Sequence, residues 1–269
     1  MSNAEPFYIE GSSGKLFTIY HRAQCASRGT VLYAPPFAEE MNRSRLVVAC
    51  QARQFAEAGF DVLLVDYYGT GDSEGEFWDA NLDIWIRDFS ICLDWLIAKG
   101  ATNVYIWGLR FGCLLAAIAV SDRQQNISGW IFWEPVTDGE EIVKDLLRME
   151  RISQILAAGN RNSLEEGDTG SKKDIKEIAG YQISIQFLEQ LKLIKYDNFA
   201  PNNLTVYYVH AKSEIAKSKD RPREGRDGIV KIGLNCVNVT DNRFWLTPEI
   251  MVANHLLELT TSNLLASVA

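Results

Sequence analysis

Short apolar runs and amphipathic stretches alternate along this chain, and the alternation predicts its elements. Thr30-Val-Leu-Tyr33 is an apolar run closed by Pro35-Pro36, the pattern of a buried parallel strand entering a loop. Arg43 to Ala58 has helical periodicity, with Gly59 placed to cap its C-terminus. Phe60 to Asp66 (FDVLLVD) is the next strand, and a glycine-rich loop follows it. Asp83 to Ala98 is an amphipathic helix ended by Gly100, and Asn103 to Trp107 is a third strand. Phe111 to Val120 is a helix apolar on most faces, and Gly129 to Trp133 is a fourth strand. Such a βαβαβ rhythm predicts a mostly parallel sheet flanked by helices on both sides.

The rhythm breaks after Glu134. Thr137 to Asn198 holds helix-like pieces and no convincing strand, and its polar stretch Asn160 to Lys173 reads as an exposed loop. Strand signals return at Leu204 to Val209 and at Leu234 to Val239. The expected organisation is one domain, with a core formed by residues 1–136 and 199–269 and a helical cap insertion at 137–198. No internal repeat is visible.

Composition narrows the class. The chain has 269 residues, 47% of them hydrophobic and 23% charged, which excludes a disordered or low-complexity protein. Its formal charge of −8 sets it against polyanions, so no nucleic-acid partner is expected. The five cysteines (Cys25, Cys50, Cys92, Cys113 and Cys236) are scattered, with no pair spaced as a zinc site or redox dithiol. Free thiols in a reducing compartment follow, with Cys50, Cys92 and Cys113 as small apolar fillers. No basic segment followed by an apolar stretch opens the chain, and the apolar run Cys113 to Val120 is too short to span a bilayer. The expectation is a soluble, cytoplasmic protein.

Two motifs carry the chemistry. Asp66-Tyr-Tyr-Gly69-Thr-Gly71-Asp-Ser73-Glu-Gly75 directly follows a strand, and its glycines permit tight positive-φ turns above the sheet edge. Trp107-Gly108-Leu109-Arg110-Phe111-Gly112 lies between a strand and an apolar helix, with the spacing of the G-x-S-x-G nucleophile elbow. In this order and separation the two resemble the α/β-hydrolase fold. The residue at the nucleophile position is nevertheless Arg110. A guanidinium stays protonated and has no lone pair for acyl attack. The loop after the last strand, Thr240 to Glu249, lacks the histidine that this fold places there. His255 falls in the final helix, His210 ends the preceding strand, and His21 belongs to an N-terminal strand region. Glu134 and Glu214 are the candidates for the carboxylate that would orient a histidine, with neutralisation of a nearby cation as the simpler role.

Further segments narrow the resemblance. Pro35-Pro-Phe-Ala-Glu-Glu-Met-Asn-Arg-Ser-Arg45, Asp66 to Gly75, the Gly-Leu-Arg-x-Gly elbow, Ala179-Gly-Tyr181 and Phe244-Trp245 are together similar to the exosortase A system-associated hydrolases of type 2. That resemblance covers most of the chain. It implies an α/β-hydrolase fold and a setting in exopolysaccharide production or protein sorting in Gram-negative bacteria, without fixing a substrate.

An arginine in the elbow would stand at a helix start, where backbone N–H groups already favour an anion. The former oxyanion donors would be the amides of Phe37 and Phe111, and the guanidinium adds a fork suited to carboxylate or phosphate. The ligand-facing set is therefore Phe37, Arg110, Phe111 and Trp245. The competing partner of Arg110 is internal. Glu39 and Glu40 lie on the loop that should face the elbow, and Glu134 and Glu249 sit on loops at the same edge. Leaving a buried arginine unpaired costs several kcal/mol, which favours the internal pair over a small acidic ligand. Ser44 and Ser73 are substitute nucleophiles only if a base approaches them. No dinucleotide fingerprint, P-loop or metal-ligand spacing is present, so no cofactor is expected. The function expected is that of a degenerate hydrolase acting as a binding or accessory protein. The alternative is an active hydrolase of an anionic ester-like substrate using displaced groups.

Overall fold

The structure, a computed structural model, describes residues 4–159, 174–195, 203–210 and 235–268. The predicted loop at 160–173, Glu214 and the start of the last strand at Leu234 lie outside them. Eight strands form the main sheet: β1 (Ala4–Glu10), β2 (Lys15–His21), β3 (Gly29–Ala34), β4 (Phe60–Val65), β5 (Val104–Leu109), β6 (Ile127–Trp133), β9 (Leu204–His210) and β10 (Asn235–Thr240). Their spatial order is β1-β2-β4-β3-β5-β6-β9-β10. The β1–β2 and β2–β4 pairs are antiparallel, and every other neighbouring pair is parallel.

The central strands read as continuous apolar runs because both of their faces are covered. Alternate residues serve different cores. Leu32 and Ala34 face one cluster, with α2 (Leu82–Ala98) and α3 (Phe111–Ala119) packed on it. Val31 and Tyr33 face the other, beneath α1 (Ala38–Glu57) and α6 (Asn254–Ala266). Asn81 caps α2 by accepting the Ile84 N–H at 2.9 Å.

Between β6 and β9 lie α4 (Gly139–Gly159), the strands β7 (Ile175–Ile178) and β8 (Tyr181–Ser184), and α5 (Ile185–Leu193). The antiparallel β7–β8 hairpin corrects the expectation that this stretch holds no strand. Each strand has only four residues, too few for alternation to register against the helical background. Ala179 and Gly180 turn between them at φ 51° and 85°, the paired positive values of a tight hairpin turn. Ser184 then caps α5 through the Phe187 N–H.

A second correction concerns Glu39 and Glu40. They belong not to a loop but to the first turn of α1, which starts at Ala38 rather than Arg43. Two carboxylates there meet the positive end of the helix dipole, which favours early initiation after Pro35-Pro36.

Glycine is required where α3 crosses β3. A Cβ on Gly112 would lie 2.0 Å from the Ala34 carbonyl oxygen and 2.6 Å from its carbon, both backbone atoms. Gly100, at φ 92°, has open space around the same position. Gly112→Ala is therefore expected to cost at least about 3 kcal/mol, against about 1 kcal/mol for Gly100→Ala, where only backbone strain acts. Urea denaturation of the two variants checks this, and equal losses would contradict the packing argument.

Candidate functional site

The site is built at the C-terminal edge of the parallel strands, where β5 turns into α3. Arg110 occupies the turn at φ 52° and ψ −118°, a conformation that non-glycine residues adopt only when the surroundings enforce it. Enforcement comes from both sides. The Arg110 N–H donates to the Trp133 carbonyl at 3.0 Å, and its own carbonyl accepts from Cys113 at 3.1 Å. Gly108 and Gly112 let strand and helix close around the turn, since a Cβ on Gly108 would meet the Cys113 backbone at 2.8 Å.

The side chain that this turn presents is neutralised within the molecule. Arg110 Nε lies 3.0 Å from Glu40 Oε1, and Nη2 lies 3.0 Å from Asp145 Oδ2. Arg110 and Glu40 are only 16% and 20% exposed, whereas Asp145 is 53% exposed. Burial pushes the Glu40 carboxyl above its usual range, and the attraction of Arg110 does not fully cancel that. Desolvation works against the guanidinium, but Glu40, Asp145 and Glu134 outweigh it and hold the Arg110 pKa above its ordinary value.

The four sequence candidates for the partner of Arg110 take different places. Glu40 pairs with it directly. Glu39, its neighbour on α1, accepts instead from Arg43 Nε at 3.0 Å and from the Tyr181 hydroxyl at 2.9 Å. Glu134, at φ 44°, follows β6, and its carboxylate accepts from the Val209 N–H. It acts on Arg110 through its charge. Glu249 is exposed on the segment after β10. Asp145, on α4, was not among the candidates. Nothing local distinguishes it from Glu140 and Glu141 on the same helix, because its role depends on how α4 lies over the elbow.

The ligand-facing candidates are largely covered. Phe37 is the residue before α1 and Phe111 opens α3, so each amide stands at a helix start. Their rings are buried edge-on with centroids 5.1 Å apart. Phe77, Trp85 and Phe187 continue that cluster, with Trp85 and Phe187 at 4.7 Å. Trp245 is 2% exposed and sits edge-on to Phe244 in the α1–α6 core. A tryptophan after the last strand fits either role by sequence; the packing of Phe244 on Trp133 draws this pair inward.

The histidines and serines take varied places. His210 Nε2 lies 2.8 Å from Asn238 Oδ1, His255 is exposed, and His21 is buried, its pKa lowered by desolvation. Ser73 bridges the Asp66 carbonyl and the Phe17 N–H, and Ser44 donates to the Met41 carbonyl. Among the described residues no three His, Cys, Asp or Glu side chains gather as a metal site requires. Nor is any described helix long and apolar enough to cross a membrane.

A mostly parallel sheet, helices on both faces and a strained residue on the strand–turn–helix elbow define an α/β-hydrolase fold. The family described as serine aminopeptidase, S33, matches residues 19–219, and the chain belongs to it. Among solved structures, it is similar to a putative hydrolase from Agrobacterium vitis S4, at 14% identity and TM-score 0.60 with both chains covered in full. An alpha-beta serine hydrolase homologue from Coxiella burnetii aligns at 15% identity and TM-score 0.54 over 98% of each chain. Est1E from Butyrivibrio proteoclasticus, solved with ferulic acid, aligns at 18% identity and TM-score 0.57, over 97% of this chain and 96% of its own. At these identities the likeness is one of fold. No curated protein matches the chain.

Removing one partner of the Arg110 pair leaves the other buried and uncompensated. Arg110→Ala is expected to cost about 2–3 kcal/mol, below the full range for buried pairs because all three groups keep some water contact. Adding Glu40→Gln should recover most of that loss. The single Glu40→Gln variant has a defined pH signature. A raised folded pKa gives Glu40 its greatest contribution to stability below the usual carboxylate value of 4.5, and that contribution is lost as pH rises through the folded value. The melting temperature of Glu40→Gln minus that of the wild type should therefore be more positive at pH 7 than at pH 4. The opposite trend in scanning calorimetry would mean that the ion pair outweighs the desolvation of Glu40.

Proposed function

We propose that this chain is a non-catalytic member of its hydrolase family. In this reading the nucleophile position has become the fastening point between the core and a cap formed by residues 137–198. The observation that carries the reading is the side chain standing in the elbow. Arg110 keeps the strained turn that elsewhere exposes an attacking oxygen. It offers a permanent cation there and directs it at two carboxylates of the same chain. A group that cannot lose its proton cannot begin triad acyl transfer.

A binding or accessory role in exopolysaccharide production or protein sorting, in the cytoplasm of a Gram-negative bacterium, is the setting implied by the resemblance of the sequence motifs. Contacts among those motifs support treating them as one unit. Tyr181 of the Ala-Gly-Tyr stretch bonds Glu39 and Asn42 of the Pro35–Arg45 stretch. Arg45 of that stretch pairs with Asp66, which opens the glycine-rich loop. Arg43 donates to the carbonyl of Leu246, next to Phe244-Trp245.

A second reading rests on Glu40. A buried carboxyl with a raised pKa beside a guanidinium has the character of a general base for hydrolysing an anionic ester-like substrate. Assays with p-nitrophenyl esters, acyl thioesters, aminoacyl anilides and phosphoesters separate the two. The non-catalytic reading expects no turnover above the uncatalysed rate across this panel. Saturable turnover that disappears in Arg110→Ala and Glu40→Gln, and persists in Asp145→Asn, would overturn it in favour of the second.

A further inference from the structure

The main sheet ends in two strands of opposite character. β1, at one edge, carries Pro6, which has no N–H to offer, and the charged side chains of Glu5 and Glu10. Such residues keep an edge from pairing with another chain. β10, at the other edge, reads Asn-Cys-Val-Asn-Val-Thr, with no proline, glycine or charge. The Asp241 N–H donates to the His210 carbonyl at 3.1 Å, one step past the Thr240–His210 pair, so the backbone of Val237 and Val239 also faces β9. The backbone groups of Cys236, Asn238 and Thr240 therefore point outward, and they have no hydrogen-bond partner among the described residues. The side chains of Cys236 and Asn238 lie in exposed residues.

Two features on one face of the sheet flank this edge. On the α1–α6 side a cavity of about 800 Å³ borders the start of β10, with Ile131 of β6, Thr205 and Tyr207 of β9, Val237 of β10 and Leu264 of α6 among its walls. At the other end of β10, the segment leading into α6 holds Ile250 at 87% exposure and Val252 at 38%. The Asn242 side chain donates to the Val252 carbonyl at 3.1 Å, which keeps that segment beside the strand end, and Met251 packs on the α1–α6 core. Ile250 buries almost none of its apolar surface in a single copy.

Symmetry selects the occupant. An antiparallel pair of two β10 strands centred on Asn238 sets Asn238 opposite itself and Cys236 opposite Thr240 of the second copy. Every outward residue then meets another outward residue, and the two exchange both N–H···O bonds. The two-fold axis stands perpendicular to the sheet, so the α1–α6 face lies on the same side in both copies. The segment leaving Thr240 in one copy accordingly runs past the start of β10 in the other, the end that the cavity borders. An uncharged edge is also where two chains of formal charge −8 meet with least repulsion. A strand edge alone falls short of the roughly 800 Å² per partner of a stable interface, and burial of Ile250 adds apolar area to it.

We infer that the β10 edge is an interface between two copies of this chain, an antiparallel β10–β10 pair about a two-fold axis at Asn238 in which Ile250 of each copy enters the cavity of the other. It stands on residues remote from the elbow and does not depend on the role of Arg110.

Sedimentation velocity of the full chain from about 1 to about 100 μM tests this, with a concentration-dependent species of twice the monomer mass expected. Asn238→Pro removes an outward N–H at the centre of the pair and should leave a monomer. Ile250→Glu, at a position too exposed to disturb folding, should raise the dimer dissociation constant at least about tenfold and keeps the test open if Asn238→Pro fails to fold. Register is read by oxidation in a Cys25→Ser, Cys50→Ser background. Asn238→Cys should form a disulfide-linked dimer, whereas Cys236 alone should not, because the second copy's Cys236 lies out of reach along the strand. The inference is overturned if the chain is monomeric throughout the range, or if the dimer survives both Asn238→Pro and Ile250→Glu unchanged. Crosslinking through Cys236 and not through Asn238→Cys would overturn it as well.

Discussion

A single guanidinium joins three elements that sequence keeps far apart. Arg110 stands on the β5–α3 elbow, Glu40 on the first turn of α1, and Asp145 on α4. Without it the edge would hold Glu40, Glu134 and Asp145 with less positive charge near them than they have now. Their mutual repulsion would oppose the closure of α4 over the strand ends. The arrangement is not a simple gain of stability. Glu40 is buried deeply enough that desolvation still holds its pKa up despite the pair. Buried ion pairs of this kind contribute less to net stability than to fixing which surfaces meet.

The rest of the edge agrees with that role. Tyr181 bonds Glu39 and Asn42, so the β7–β8 hairpin is tied to the same first turn of α1. Gln190 of α5 accepts the Leu82 N–H and donates to Asp83, which ties the segment to the start of α2. Phe187 enters the cluster of Phe37, Phe77 and Trp85 and supplies the apolar part of the contact. Polar ties fix register and aromatic burial supplies the driving force; each alone would leave the segment less well defined.

The parallel strands and their crossover helices were legible because their signals are local. Continuous apolar runs mark β3, β4, β5 and β6, and the glycines around residue 110 mark the elbow without knowledge of the fold. What stayed hidden was of two kinds. Four-residue strands such as β7 and β8 carry too short a pattern to count. Asp145 and Tyr181 act through contacts 35 and 142 residues away in the chain, and no window of sequence contains those distances. The packing of Trp245 is of the same kind, set by Phe244 and, through it, by the distant Trp133.

The elbow also separates what the fold requires of a turn from what the side chain on it does. A positive-φ residue between a strand and a helix costs about 1–3 kcal/mol, a strain that catalysis explains when the side chain is a nucleophile. Here the same strain surrounds an arginine, and the packing around it accounts for the turn. Gly112 against the Ala34 carbonyl, Gly108 against Cys113, and the Arg110 N–H on Trp133 fix the turn whatever side chain it bears. Relaxing the turn would require moving β3, β5, β6 and α3 together. A change at residue 110 is therefore free to alter the group presented while leaving the turn itself in place. That freedom is what allows a family built around an attacking oxygen to include a chain whose elbow holds a cation.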